Sequence, residues 1–249
     1  MKFCLKILLF VSLIFAGQIL LGKDNVRNEF IYHVKKSDAI LEIDGIWEKP
    51  AWRQAKTIRL KNFLGDIPTS RSRVKARVIY DENNIYVIFM VKERDVRCTE
   101  RGYNGKVWED SCVEFFFSPD SANPTQYFNL EVNCCKSILF RYNIIPRKEF
   151  QNIPEEDIKK IEVANTLSGT INSRNSRKKV KWTVEYRIPF VVLQKYSTIT
   201  QPQKGTKWKA NFYKIAEKSA YPHYMSWAMV SNAIVDFHTP QYFGNLYFD

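Results

Sequence analysis

The sequence predicts an all-β protein, an antiparallel β-sandwich with very little helix. Aromatic residues make up 14% of the chain, with 6 Trp, 13 Tyr and 17 Phe, and they favour the pleated, half-buried surface of a strand. From Ala39 onward, short apolar runs, alternating or continuous, are separated by turn clusters. Helical periodicity is confined to two short stretches. With 249 residues and 45% apolar composition the chain can bury a real core, and a sandwich absorbs roughly 200 to 250 residues as one unit.

In chain order, Pro50 to Ala55 reads as one helical turn, with Pro at the first helical position and Trp52 and Ala55 on one side. Arg73 to Tyr80 alternates basic and apolar residues, Asp81 to Asn84 is a turn cluster, and Ile85 to Val91 is almost continuously apolar. This is a hairpin whose first strand has one wet face and whose second is buried on both. A second hairpin pairs Cys112 to Phe117 with Gln126 to Cys134 across the loop Ser118 to Thr125. Pro154 to Ile161 is the other short helical stretch. Trp182, Val184, Tyr186 and Ile188 share one face of a strand; Thr183, Glu185 and Arg187 form the opposite, polar face, and Pro189 ends it. Lys207 to Ile215, Tyr224 to Met229 and Phe243 to Phe248 supply further strands. Asn172 to Lys181 gathers Arg174, Arg177, Lys178, Lys179 and Lys181 among small polar residues, the composition of a hydrated loop. Trp47, Trp52, Trp182, Trp227, Tyr80, Tyr86 and Phe89 are assigned to the core.

Residues 1–22 read as a secretory signal: Lys2 and Lys6 precede an apolar run from Ile7 to Leu21. Residues 23–37 are a linker and 38–249 a single domain. The run falls short of the about 20 apolar residues of a membrane span and is interrupted by Gln18, so the mature chain has no span; an uncleaved anchor is the alternative, since no clear cleavage site precedes Lys23. Losing the signal removes two lysines from a formal charge of +12. Export allows disulfides, and Cys98, Cys112, Cys134 and Cys135 admit three pairings or remain buried thiols. If Cys134 and Cys135 lie on a strand they point to opposite faces and cannot share a metal.

Five segments carry a family resemblance. They are Ile43-Asp44-Gly45 with Trp47, Pro50, Ala51 and Trp52; the hairpin Arg77 to Val87; Trp108 to Phe116; Trp182, Val184, Glu185, Ile188, Pro189 and Phe190; and His238-Thr239-Pro240 with Phe243 to Leu246. In this order, over Asp38 to Asp249, they resemble the family 9 carbohydrate-binding module, a jelly-roll-like sandwich of the DOMON-like group. The resemblance implies two aromatic rings clamping a terminal sugar. The first matches Trp108 and the second, usually Trp, falls on Phe237, beside His238. The family's carboxylate matches Glu114. On the next strand Glu131 replaces a basic residue of the best-known members, with Asn133 two residues on.

The chemistry of these residues suits a sugar independently. A pyranose has apolar C–H faces and a belt of hydroxyls, so flat rings and carboxylates or amides complement it. Trp108 is either such a platform or a core residue. Glu114 interrupts the apolar series Val113, Phe115, Phe116, Phe117 and needs a polar cleft, a ligand or a salt bridge. Glu114 and Glu131 are expected to accept from hydroxyls in their ionised form. They could also attract a structural Ca²⁺; no other cofactor is expected.

The reading is a secreted, periplasmic or cell-surface protein, non-catalytic, that binds polysaccharide or oligosaccharide and assists glycan-degrading enzymes. One alternative is a glycoside hydrolase using Glu114 and Glu131, which needs two carboxyls roughly 5 to 10 Å apart across a cleft. Another is a haem b electron-transfer domain, with axial candidates Met90, Met225, Met229, His223 and His238. Nucleic acid is not expected, because basic and aromatic residues do not interleave in one segment; the charge favours acidic glycans or an anionic cell surface.

Overall fold

A computed structural model describes residues 30–167, 171 and 178–249. Fourteen strands lie among them: β1 (Ile31–Lys36), β2 (Ile58–Leu60), β3 (Asn62–Leu64), β4 (Arg73–Tyr80), β5 (Asn84–Glu93), β6 (Cys112–Ser118), β7 (Tyr127–Asn133), β8 (Ile138–Ile145), β9 (Glu149–Asn152), β10 (Glu162–Asn165), β11 (Val180–Pro189), β12 (Lys207–Ile215), β13 (Tyr224–Ser226) and β14 (Gly244–Phe248). Three single-turn helices are α1 (Pro50–Arg53), α2 (Glu155–Ile158) and α3 (Phe190–Leu193). Both expected hairpins form, as β4–β5 and β6–β7. In the first, the Asp81 carboxylate accepts from the Asn83 and Asn84 amides (2.8 and 2.7 Å), which makes this turn local to its own sequence. The signal segment and residues 172–177 of the basic loop lie outside the described residues.

The strands form two layers. One runs β10-β11-β5-β4 with β2 beside β4; the other runs β14-β12-β6-β7-β8-β9, with β13 along the free part of β12 and β3 along β13. These pairs are antiparallel. The joint between the layers is not: Ile31 to Val34 of β1 pair parallel with β14, and Lys35 and Lys36 pair parallel with β4. Part of the expected linker 23–37 is therefore a strand. Its pattern was too brief to stand out, with only Tyr32 and Val34 buried between exposed Ile31, His33, Lys35 and Lys36. Gly244 permits this joint, because a Cβ there would stand 2.7 Å from the Phe30 carbonyl oxygen.

Side-chain alternation sends Val74, Ala76 and Val78 of β4, Val87, Phe89 and Val91 of β5, and Trp182, Val184 and Tyr186 of β11 inward against Val113, Phe115 and Phe117 of β6 and Phe212 of β12. Phe115 stacks on Phe212 (4.9 Å), which also meets Phe89 (6.0 Å). A charged pair is enclosed here. Lys214 Nζ lies 3.0 Å from Glu93 Oε2, and Glu93 Oε1 accepts from the Trp182 indole (2.9 Å).

The outer face of the first layer is half covered by residues 41–55, whose Leu41, Ile43, Trp47 and Trp52 pack on Ile79, Tyr86 and Ile88. Glu185, on the polar face of β11, is wholly buried beneath them. It accepts from the Asp44 and Gly45 amides (3.1 and 2.6 Å) and the Trp52 indole (2.8 Å), and its Oε1 lies 2.8 Å from Lys49 Nζ. Gly45 has φ +79°, a conformation glycine adopts without strain, and there its amide reaches the carboxylate. The Ile-Asp-Gly turn and Trp52 thus form one side of a pocket for a single glutamate.

Candidate functional site

Because Val113, Phe115 and Phe117 face the core, Cys112, Glu114 and Phe116 project from the opposite face of β6. A cleft of about 240 Å³ opens over this outer face of the second layer. Trp108, Phe237 and His238 form its walls, Glu114, Phe116 and Glu131 its floor, and Arg141, Arg147 and Asp236 one side. Five of the six residues singled out from the sequence meet here, although they come from four separate segments.

Trp108 differs from the other five tryptophans. Those are at most 8% exposed, whereas Trp108, in the 3₁₀ turn Val107–Glu109, is only partly covered. Its loop is anchored by the next residue but one: buried Asp110 accepts from the Thr99 and Glu100 amides (3.0 and 2.8 Å) and from Asn133 Nδ2 (3.0 Å). Asn133 also donates to the Glu100 carbonyl (3.1 Å) and accepts from the Cys135 and Ser137 amides (3.1 and 2.9 Å). With its polar atoms engaged, Asn133 lies off the cleft. Two residues along β7 from Glu131, a rise of about 6.8 Å, carry it to the strand end beneath the Trp108 loop. Phe237, which lines the same cleft, is buried and stacks on Tyr213 (4.1 Å, 13° between planes), which fixes that wall.

Glu114 and Glu131 are directly opposite in the β6–β7 register and 2% and 5% exposed. Burial, then the Glu131 charge, holds the Glu114 carboxyl well above its ordinary range; burial pushes Glu131 up to about 7, against the hydrogen bond from Asn129 Nδ2 (2.9 Å). Two such close carboxyls resist ionising together, while Arg147, with Lys214 beside Glu114 and Arg141 beside Glu131, acts in the opposite sense. Burial and mutual repulsion thus work against the expectation of two ionised acceptors and favour a proton held at the pair, which would let Glu114 donate as well as accept. Glu131 Oε2 is buried with no hydrogen-bond partner.

The compensating cations were missed in the sequence. Arg141 of β8 stacks over Phe150 (4.7 Å) and donates to Asn152 (2.7 Å); Arg147, in the β8–β9 turn, pairs with Asp236 (2.6 Å). Arg141 does interrupt the apolar run Ile138 to Ile145, the same signal that singled out Glu114. Burial opposes it, but Arg147 and the His238 amide hold the Asp236 carboxyl below its ordinary value. His238 Nδ1 lies 2.6 Å from the Tyr127 hydroxyl, and burial, followed by the Arg147 charge, lowers its pKa to about 3, so the imidazole is neutral in the cleft.

Cys98 and Cys135 form a disulfide, leaving Cys112 and Cys134 as buried thiols. Cys134 and Cys135 follow the end of β7 instead of continuing it, so the opposite-faces expectation fails: with Cys98, their sulfurs gather within 4.8 Å. The disulfide removes two of those three as metal ligands. Cys112, Glu114 and Glu131 form the other close set. One sulfur and two carboxyls offer at most four oxygens, short of the 6 to 8 that Ca²⁺ takes. The haem candidates disperse: Met225 is in the core, Met229 is exposed, His223 is buried near Glu93, Met90 is on the other layer, and none of these four lines the cleft that holds His238.

A two-layer β-sandwich with an aromatic-walled, hydrogen-bonding cleft on one outer face is the architecture of a small-ligand binding module. Residues 48–248 match carbohydrate-binding family 9, and the chain belongs to that family. It is 25% identical over 196 residues to an "Extracellular protein" of Arthroderma benhamiae, covering 75% of this chain and 84% of that one. Among solved structures it resembles a candidate carbohydrate-binding protein from Bacteroides uniformis, with TM-score 0.78 and 27% identity, covering 89% of this chain and 100% of that one. Its fold is also that of a carbohydrate binding module family 9 protein from Caldicellulosiruptor kristjanssonii solved with cellotriose, with TM-score 0.57 and 14% identity over 88% and 93% of the two chains.

Proposed function

We propose that this protein is an exported, non-catalytic sugar-binding protein that holds glycan chains in the Trp108 cleft near the enzymes that degrade them. The observation that carries the reading is Trp108 itself, the one tryptophan kept out of the core, standing over a cleft with a second aromatic wall and a floor of carboxyl groups. Rings cover the C–H faces of a pyranose; Glu114, Glu131, His238 and the arginines serve its hydroxyls. The apolar N-terminal run and the extracellular relative support export. Among the described residues no helix is long and apolar enough to cross a membrane.

Non-catalysis is supported by the placement of the two glutamates. A glycosidase sets its carboxyls on either side of the scissile bond. Here they are neighbours on adjacent strands, with ligand oxygens within 4.8 Å, and form one floor. Affinity electrophoresis against neutral and acidic polysaccharides, followed by calorimetry with the oligosaccharides of any that retard migration, tests binding. Retardation lost in Trp108→Ala is expected. Sugar release by the wild-type protein that disappears in Glu114→Gln would replace this reading with the hydrolase.

A further inference from the structure

The half of the first layer's outer face left uncovered by residues 41–55 carries a second groove, of about 490 Å³. Six basic residues line it: Arg59, Lys61, Arg73, Lys75, Lys92 and Lys181. Register explains the concentration. Lys181 of β11, Lys92 of β5 and Arg73 of β4 stand side by side in one row, and Arg59 of β2, Lys75 of β4 and Met90 of β5 form the next. Neighbouring strands are about 4.8 Å apart and successive rows about 6.8 Å. Like charges so placed repel and destabilise the sheet that bears them. Among the described residues none of the six forms an ion pair. At the groove's edge Lys179 is lowered from its ordinary pKa by burial and then by Arg73, Arg94 and Lys92.

We propose that this groove is a second binding site, for a single chain of anionic polysaccharide bearing carboxylate or sulfate groups. Cations two residues apart at Arg73 and Lys75 of β4 and at Arg59 and Lys61, with Lys92 and Lys181 beside Arg73 on the next strands, match a ligand with a repeated negative charge, and an arriving anion relieves their mutual repulsion. The groove's apolar lining is aliphatic, Leu60, Val74 and Met90. That suits the C–H faces of sugars between the charges. The aromatic rings on which single-stranded nucleic acids stack are absent from this lining. Cleft and groove lie on opposite outer faces of the sandwich, so both can be filled at once, and the groove's assignment does not depend on the cleft's.

The test uses the full chain with polygalacturonate (carboxylate), dextran sulfate (sulfate), a neutral cello-oligosaccharide, a single-stranded oligonucleotide and phosphatidylserine vesicles. At about 50 mM salt, polygalacturonate or dextran sulfate should bind, weaken steeply by about 500 mM, and bind about tenfold or more weakly to a Lys75→Glu, Lys92→Glu double variant. Trp108→Ala should leave that binding unchanged. The carboxylate and sulfate arms identify which anion the groove prefers. The proposal fails if neither polyanion binds at low salt, if charge reversal changes nothing, or if Trp108→Ala abolishes anion binding, which would move it to the cleft. Tighter binding of the oligonucleotide or the vesicles, lost on charge reversal, would reassign the groove to nucleic acid or membrane.

Discussion

Glu114 stands directly opposite Glu131 on the neighbouring strand, and both carboxyl groups are almost withdrawn from water. In the unfolded chain each titrates near 4.5, while Glu131 in the fold is raised to about 7 and Glu114 is raised as well. As pH rises the unfolded chain therefore loses these protons first, so stability contributed below about 4.5 is lost as pH climbs through about 7. Glu131→Gln removes one titrating partner. Denaturant titrations should show it more stable than wild type at about pH 8, by on the order of 1 to 3 kcal/mol, and less different at about pH 4.5. Parallel pH dependence in the two proteins would mean the pair is ionised.

Trp108→Ala should weaken sugar binding by about 1 to 3 kcal/mol, because a ring at a cleft wall contributes its buried face to the complex. Its side chain is partly exposed, and Asp110 and Asn133 hold the loop independently of it. The melting temperature should therefore shift little. A large fall in melting temperature with affinity intact, read by scanning and titration calorimetry, would place Trp108 in the structure instead of the site.

Glu185→Ala should destabilise the fold by about 3 to 5 kcal/mol, since it leaves two amides and the Trp52 indole without their shared acceptor and the Lys49 ammonium with only Asp44 as a carboxylate partner. Glu185→Gln keeps an acceptor and should lose less. Equal melting temperatures for wild type and the alanine variant would refute the anchoring role.

Peptide mapping without reduction should recover Cys98 joined to Cys135, and Cys112 and Cys134 should react with maleimide only after unfolding. Burial raises both free thiols above their ordinary range, which suppresses the reactive thiolate. Replacing Cys98 and Cys135 with serine should cost about 2 to 4 kcal/mol, measured in denaturant.

Hairpins were legible in this sequence because their register is written locally, in the two-residue alternation of Arg73 to Tyr80 and in an Asp81 turn that caps itself. The cleft was legible wherever one residue broke an apolar run, as Glu114 does. What escaped depended on distant partners. Glu185 shares the polar face of its strand and is covered only when residues 43–52 fold over it, Arg147 reaches the site from a turn, and Asn133 engages its polar atoms with the loops around Glu100, Asp110 and Ser137. Cys134 and Cys135 depart from the strand pattern because one residue decides whether a strand continues, and β7 stops at Asn133. β1 offered only two buried side chains and paired in parallel with strands far away in sequence, for which no local pattern exists.

That last strand sets an order of events. β1 leaves the ribosome, and crosses any membrane, before the rest of the domain, yet the residues it clasps on β14 come last; His33 meets Asp249 across 216 positions. Until they arrive, the seam between the layers stays open, with the edges of β1 and β12 that β14 will join unpaired and prone to join the same edges of another molecule. The first-made strand is thus the final fastener. Chains halted before completion, or trimmed of residues 31–36, should be far more prone to stick to one another than the finished domain.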